Sequence, residues 1–201
     1  MPIPKDALSI TTPIFKIEPS SNYADIETAS RLIYPVPEAM PCNLHLVTAD
    51  SPRRYKGAVE TLAWYFRREF HFDFPGYTAD EITSDDSVRS FFWTEEHGKG
   101  HRVIGACTFR KREWKNLPEV SWTLCWIWLH PFRRGCGLLT QAWPFFTAMF
   151  EPLDIERPIS PAMEAFLSNK PHTTIYTTDT NLPIKLYTRP KREMLEVEHD
   201  Q

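Results

Sequence analysis

Apolar positions recur every three or four residues from Tyr55 onward, through Val59, Leu62, Ala63 and Phe66 to Phe70. That spacing places them on one stripe of a helix. Asp50-Ser51-Pro52 stands just ahead of the stripe, a cap followed by proline at the first helical position, so the helix is predicted to begin there and end near Phe70. Arg53, Arg54, Arg67 and Arg68 fall mostly outside the stripe and read as a solvated face. Before it, Leu44, Leu46 and Val47 suggest a strand. After it, residues 71–77 read as a loop, residues 78–82 as a short helix, and residues 90–94 and 103–110 as two strands. The turn-like Glu96-His97-Gly98-Lys99-Gly100 between those strands predicts a hairpin. From 119 to 129 the chain alternates differently: Val120, Trp122, Leu124, Trp126 and Trp128 occupy even positions, and Ile127 and Leu129 are apolar on the other side. A strand apolar on both faces toward its end is a central strand covered on both sides. Its tryptophans belong to the core.

Directly after this strand come His130-Pro131-Phe132-Arg133-Arg134-Gly135-Cys136-Gly137, then an apolar helix carrying Leu138, Leu139, Trp143, Phe146, Ala148 and Phe150. Pro144 removes one bond of that helix and predicts a kink. A strand at 157–159, a helix at 161–169 capped by Ser160, and a strand at 173–177 complete the order. Residues 1–42 form an extension with seven prolines by residue 41, one strand within 8–17 and a short helix within 24–32. Residues 43–180 form the domain, and residues 181–201 a charged tail, loose from Lys185 onward.

Composition narrows the choices. With 201 residues and 42% apolar side chains the chain can bury a core of one domain. A net charge of −3 without a lysine-rich block gives no broad attraction to nucleic acid or to an anionic membrane. No apolar run approaches the roughly 18 residues that a membrane span needs, and no signal-peptide core begins the chain, so a cytoplasmic location is expected. Cys42, Cys107, Cys125 and Cys136 contain no Cys-x-x-Cys pair, which predicts reduced thiols. Cys42 and His45 make half of a zinc pattern, but no second pair follows, and no metal is expected.

The glycine turn carries the chemistry. The first amides of a helix lack partners within it, and the helix dipole puts partial positive charge at that end. Gly135 and Gly137, two of only seven glycines, allow close approach to those amides, and Arg133 and Arg134 add positive charge. The segment is predicted to grip phosphate oxygens. A Walker loop is excluded, because Leu138-Leu139 stands where lysine and a hydroxyl residue are needed; a dinucleotide fingerprint lacks its third glycine at Thr140. Arg134-Gly135-Cys136-Gly137-Leu138-Leu139 instead matches Arg/Gln-x-x-Gly-x-Gly/Ala except at Leu139. This resembles the pyrophosphate loop of the GNAT superfamily of acetyl-coenzyme A dependent N-acetyltransferases.

The order of elements over 43–178 is similar to that superfamily as well. The resemblance implies an α+β fold, GNAT-like, with a mixed central sheet flanked by helices on both faces. It implies acetyl-CoA as acetyl donor and an amine acceptor, either a protein lysine or N-terminus or a small molecule. By the same resemblance the amides of Arg134, Gly135, Cys136, Gly137, Leu138 and Leu139 hold the pyrophosphate, with Arg133 beside them. Trp126, Ile127, Trp128 and Leu129 meet the pantetheine through their backbone, one amide polarising the thioester. Residues 157–168 resemble a segment of the cohesin acetyltransferases, with Pro158 in place of that family's aspartate and without its zinc finger. The proton chemistry stays open. Glu119 is the first candidate for the base, with Glu95 and Glu96 as alternates and His130 ranked below. Where many of these enzymes have a tyrosine acid this chain has Phe166 and Leu167, leaving Ser160, Tyr176 or a water. The other class of function is a non-catalytic GNAT-like module that binds acyl-CoA or a protein. Oligomeric state is not legible.

Overall fold

The computed structural model describes residues 12, 14–15, 41, 43–72, 76–80, 87–112, 120–156, 159–168, 170, 174–176 and 183–186. Their strands are β1 (Ile14–Phe15), β2 (Leu44–Val47), β3 (Val88–His97), β4 (Gly100–Arg112), β5 (Ser121–Leu129), β6 (Leu153–Glu156), β7 (Thr174–Tyr176) and β8 (Pro183–Leu186). The helices are α1 (Arg53–Phe70), α2 (Leu138–Met149) and α3 (Pro161–Leu167). The sheet runs in the order β2-β3-β4-β5-β6-β7-β8, with β1 pairing β4 off that path. It is mixed: β5-β6 and β6-β7 are parallel and the other pairs antiparallel. The predicted order of elements is the observed one, and helices cover both faces.

On one face α1 packs Tyr55, Ala58, Val59, Leu62 and Ala63 against Phe92, Ala106, Trp126 and Trp128. On the other, α2 and α3 bring Trp143, Phe145, Phe146, Met163 and Leu167 onto Phe91, Phe109, Leu124 and Ile155. Phe109 and Phe150 stack there at 4.2 Å between ring centroids, at the short end of the range that favours aromatic pairs. Burying these side chains, at about 1.5–3 kcal/mol each, supplies the main drive to fold.

One feature of β5 departs from simple alternation and shapes the cleft. Trp126 pairs with Thr108 and Leu124 with Phe109, so Cys125 is an extra residue, a β-bulge. Its effect is visible in the core. Trp122 and Leu124 lie on the α2 face, whereas Trp126 and Trp128 lie on the α1 face. The even-numbered tryptophans thus occupy two layers rather than one. At the same point β6 leaves β5, for their parallel ladder ends at Leu124 and Ile155. Bulging and extra twist at Cys125 open a V between the two strands.

Other expectations shift. The strand predicted at 157–159 lies at Leu153–Glu156: Leu153 and Ile155 fill the core, and Asp154 is buried between Thr123 and Thr174 in the two flanking strands. The tail is not loose at its start, because β8 pairs with β7 inside it. α1 begins at Arg53 without a side-chain cap, since Ser51 Oγ accepts instead from the amide of Thr48 at 2.9 Å. Of the short helix predicted at 78–82, Thr78 is irregular and Ala79 and Asp80 form a turn, while 81–82 and the helix predicted within 24–32 lie outside the described residues. The hairpin is longer and tighter than predicted, turning at Gly98 and Lys99. α2 continues through Pro144 to Met149.

Candidate functional site

The loop that follows β5 begins with a 3-10 turn at Pro131–Arg133. His130 sits at its start, where Nδ1 accepts from the amide of Phe132 at 3.3 Å and the ring stacks on Phe132. Gly135 and Gly137 both take left-handed backbone, φ 74° and φ 79°. A Cβ costs roughly 1–2 kcal/mol in that region, which is why glycine occupies both positions. α2 makes its first internal bond from Gln141 N to the carbonyl of Gly137. The amide of Arg134, expected among the pyrophosphate contacts, donates instead to Pro131 O at 3.4 Å, whereas the amides of Gly135, Cys136, Gly137, Leu138, Leu139 and Thr140 donate to no acceptor among the described residues. These six donors lie at or just before the positive end of a helix. Leu138 and Leu139 pack partly against the α2-side core. Leu139, where glycine or alanine was expected, is thus accommodated toward the interior.

The arginines do something other than expected. Arg134 forms a two-pronged ion pair with Glu69 of α1, both distances 2.6 Å, and its Nε donates to the carbonyl of Leu129 at 2.9 Å. Glu69 also accepts from Trp128 Nε1 at 2.8 Å. Burial raises the pKa of Glu69, but the hydrogen bonds from Arg134 and Trp128 and the arginine's charge outweigh it, and the net shift is downward. Arg133 pairs with Glu95 through Nε. Both guanidinium groups predicted to add charge for phosphate are neutralised by carboxylates. They fasten the loop to α1 and to β3. Glu95, an alternate for the base, is likewise paired with an arginine.

Within the V, the register of β5 decides which backbone groups face outward. His130 N donates to Ile104 O, so residues 130, 128 and 126 bond to β4, and alternation turns the N–H and C=O of Ile127 and Leu129 away from it. Leu129 O meets Arg134 on that edge, as this requires. No strand of the described residues covers Ile127 there.

Where the strands part lies a cavity of about 260 Å³. Phe66, Phe70, Phe72 and Trp126 form an aromatic wall; Leu124, Cys125, Ile127, Ile155, Glu156, Ile159, Ser160, Pro161 and Met163 complete the lining. Phe66 is the hub, 5.1 Å from Phe70, 4.8 Å from Phe72 and 5.8 Å from Trp126 between centroids. Glu156 ends β6, 13% exposed, with Arg112 Nη2 donating to its two oxygens at 3.3 and 3.1 Å. Burial, and then the charge of Glu156, push the Cys125 thiol up to about 12. It stays protonated and is no nucleophile.

Of the predicted proton carriers, Ser160 is brought to the cavity, where its Oγ accepts from Met163 N at 3.2 Å and caps α3. Tyr176 is placed only through its backbone, opposite Glu156 in the β6-β7 ladder. Glu119 lies outside the described residues. Glu156 was not foreseen, because the strand that carries it was expected at 157–159, just after it. The alternation of Leu153 and Ile155 around Asp154 was the one signal available. His45 Nε2 lies 3.1 Å from Thr94 Oγ1, and Cys42, the other half of that pattern, is outside the described residues. Among the described residues no three His, Cys, Asp or Glu side chains are grouped to hold a metal, and no helix is long and apolar enough to cross a membrane.

Comparison with solved structures finds likeness to the acetyltransferase domain of xEco2 bound to a CoA conjugate, at 13% identity over 62% of this chain and 84% of that one, TM-score 0.47. The ribosomal-protein-alanine N-acetyltransferase from Brucella melitensis gives 12% identity over 63% and 87%, TM-score 0.46. An aminoglycoside acetyltransferase from an uncultured soil metagenomic sample gives 15% over 64% and 86%, TM-score 0.43. Likenesses below 0.5 carry no functional argument, which rests on this chain's own geometry. No family model and no curated protein matches the sequence.

Proposed function

We propose that this protein is an acetyl-coenzyme A dependent N-acetyltransferase. The single observation that carries the reading is the set of unspent amides from Gly135 to Thr140, set at a helix N-terminus one short turn beyond a strand whose outer edge is open. A diphosphate meets those donors without displacing any internal bond, and the outward amide and carbonyl of Ile127 suit the amide groups of a pantetheine arm. The residues present therefore fit the coenzyme, which when bound supplies the acetyl group as an activated thioester. Support comes from the backbone and not from the arginine side chains, so Arg133 and Arg134 are proposed as loop fasteners.

The chain's own tasks are then three. The loop amides fix the donor's position, converting an encounter into an oriented one. Ile127 N–H, facing the V, is proposed to polarise the thioester carbonyl. A base must take one proton from an ammonium acceptor, whose pKa is about 10.4 for a lysine-type amine, and an acid must return one to the departing sulfur. Glu119 is proposed for the first task, Ser160 or Tyr176 for the second; of these Ser160 lines the cavity and, as an acceptor in its cap bond, keeps its hydroxyl proton to donate.

The test is a thermal shift with acetyl-CoA together with a thiol-release assay across mixed amine acceptors. A ligand at 100 times its Kd stabilises the native state by about 2.7 kcal/mol, a rise in Tm of several degrees. A rise with amine-dependent thiol release supports the transferase. No shift at millimolar ligand overturns it. A shift without thiol release for any amine converts the reading to a non-catalytic acyl-CoA-binding module.

A further inference from the structure

The cavity in the V is built unlike the rest of the cleft, and its chemistry points to a class of acceptor. Glu156 is the one acidic or basic side chain among the described residues that line it, and it is ion-paired with Arg112. Arg112, its partner, is not part of the lining and spends a single nitrogen on the two oxygens. A carboxylate has about four acceptor sites, so the side turned to the cavity keeps capacity for further donors. Cys125, the other titratable neighbour, hydrogen-bonds to Glu156 and brings no charge, since its thiol remains protonated; with Arg112 it leaves part of the carboxylate's acceptor capacity over. The same cavity is lined by the rings of Phe66, Phe70, Phe72 and Trp126, whose faces attract cations as well as apolar groups. The volume of about 260 Å³ lies just below the roughly 300–1,000 Å³ of pockets for drug-sized ligands, so a small molecule fits and a folded substrate does not enter.

We infer that this cavity binds a small primary amine with an apolar, aromatic-sized body, its ammonium on Glu156 and its body against the Phe66–Trp126 wall. That the amine is the acetyl acceptor rests on the transferase reading; the amine site itself does not. A flexible polycation has no apolar body to cover the wall and leaves its further charges where the described lining offers no second carboxylate. A neutral analogue of the same shape fills the wall and forgoes the charge-assisted bond, worth more than a neutral one.

The experiment is calorimetric titration of the full-length protein, without coenzyme, by 2-phenylethylamine, 2-phenylethanol, spermidine and a short lysine-containing peptide, with acetyl-CoA titrated separately into the same preparation. The expected result is a Kd for 2-phenylethylamine at least tenfold lower than for the other three, and a loss of at least tenfold in Glu156→Gln with acetyl-CoA affinity unchanged. Equal affinity for 2-phenylethanol, or tighter binding of spermidine or the peptide, overturns the inference, as does a folded Glu156→Gln protein that binds the amine normally. The wild-type series decides alone if that variant does not fold. Absence of acetyl-CoA binding with amine selectivity intact overturns the transferase reading and supports the site; acetyl-CoA binding without amine selectivity overturns the site and supports the transferase.

Discussion

The two ends of the V are made of different material. At the loop end the chemistry is main chain: six free amides, two left-handed glycines, and arginines whose charge is consumed by Glu69 and Glu95. In the cavity it is side chain: an aromatic wall, a carboxylate, and a bulge that aims Trp126 toward α1. A backbone site tolerates changes of neighbouring side chains as long as the dihedrals survive. A side-chain site is rewritten by a single substitution. If the proposed transferase reading and the inferred amine site both hold, one cleft divides the labour between a donor held by backbone geometry and an acceptor chosen by residue identity.

The sharpest way to break the comparison is at Gly135. A Cβ there meets nothing within 4 Å, so Gly135→Glu acts through the left-handed φ and the added negative charge rather than through a clash. Strain of about 1–2 kcal/mol plus a carboxylate at the helix N-terminus predicts acetyl-CoA binding on the order of a hundredfold weaker. Calorimetry checks this, and binding of 2-phenylethylamine should persist.

Acidification probes the frame that holds both ends. Burial, followed by the nearby charge of His101, lowers the pKa of His45 from 6.5 to about 4. The unfolded chain therefore binds a proton that the native state refuses between those values. Stability is fully present above about pH 6.5 and falls as pH drops toward 4, by on the order of 3 kcal/mol at one unit per 1.36 kcal/mol. Urea titrations at pH 7 and 4.5 should show the loss, and His45→Gln should flatten it; an unchanged slope in that variant assigns the loss to other groups.

Gly105→Ala tests how closely β4 passes β5 at the loop end. Its Cβ would run into the Leu129 side chain and approach Trp128 O at 3.1 Å, predicting a loss of about 1–3 kcal/mol, read by chemical denaturation. Smaller again is the fastening of the loop. With Arg134 and Glu69 about a quarter exposed, a double-mutant cycle of Arg134→Gln and Glu69→Gln should give a coupling of about 1 kcal/mol, less than a fully buried pair shows. It should appear as a higher KM for acetyl-CoA at nearly constant kcat. A fall in kcat alone would argue against a fastening role.

What was legible in the sequence follows the same division. Gly135 and Gly137 stood out because glycine is scarce in this chain, and their positive φ angles are the physical reason for their presence. The stripe from Tyr55 to Phe70 was legible because a helix needs only local periodicity. The bulge at Cys125 was not: Trp122, Leu124, Trp126 and Trp128 keep an unbroken alternation, and only the partners on β4 divide them between two layers. β6 hid for a related reason. Its acidic residues Asp154 and Glu156 left the strand expected at 157–159, whereas pairing on both sides buries the first and turns the second to the cavity. Arg134 was misjudged because its partner, Glu69, lies 65 residues away, a separation that no local pattern spans.

The central claim is that the free amides between β5 and α2 hold the diphosphate of acetyl-CoA. The most direct measurement is an amide-resolved NMR titration of isotopically labelled protein with acetyl-CoA. The prediction is that resonances of Gly135 to Thr140 and Ile127 shift most, and that Gly135→Glu abolishes those shifts. Binding that leaves them in place while moving amides elsewhere would contradict the account.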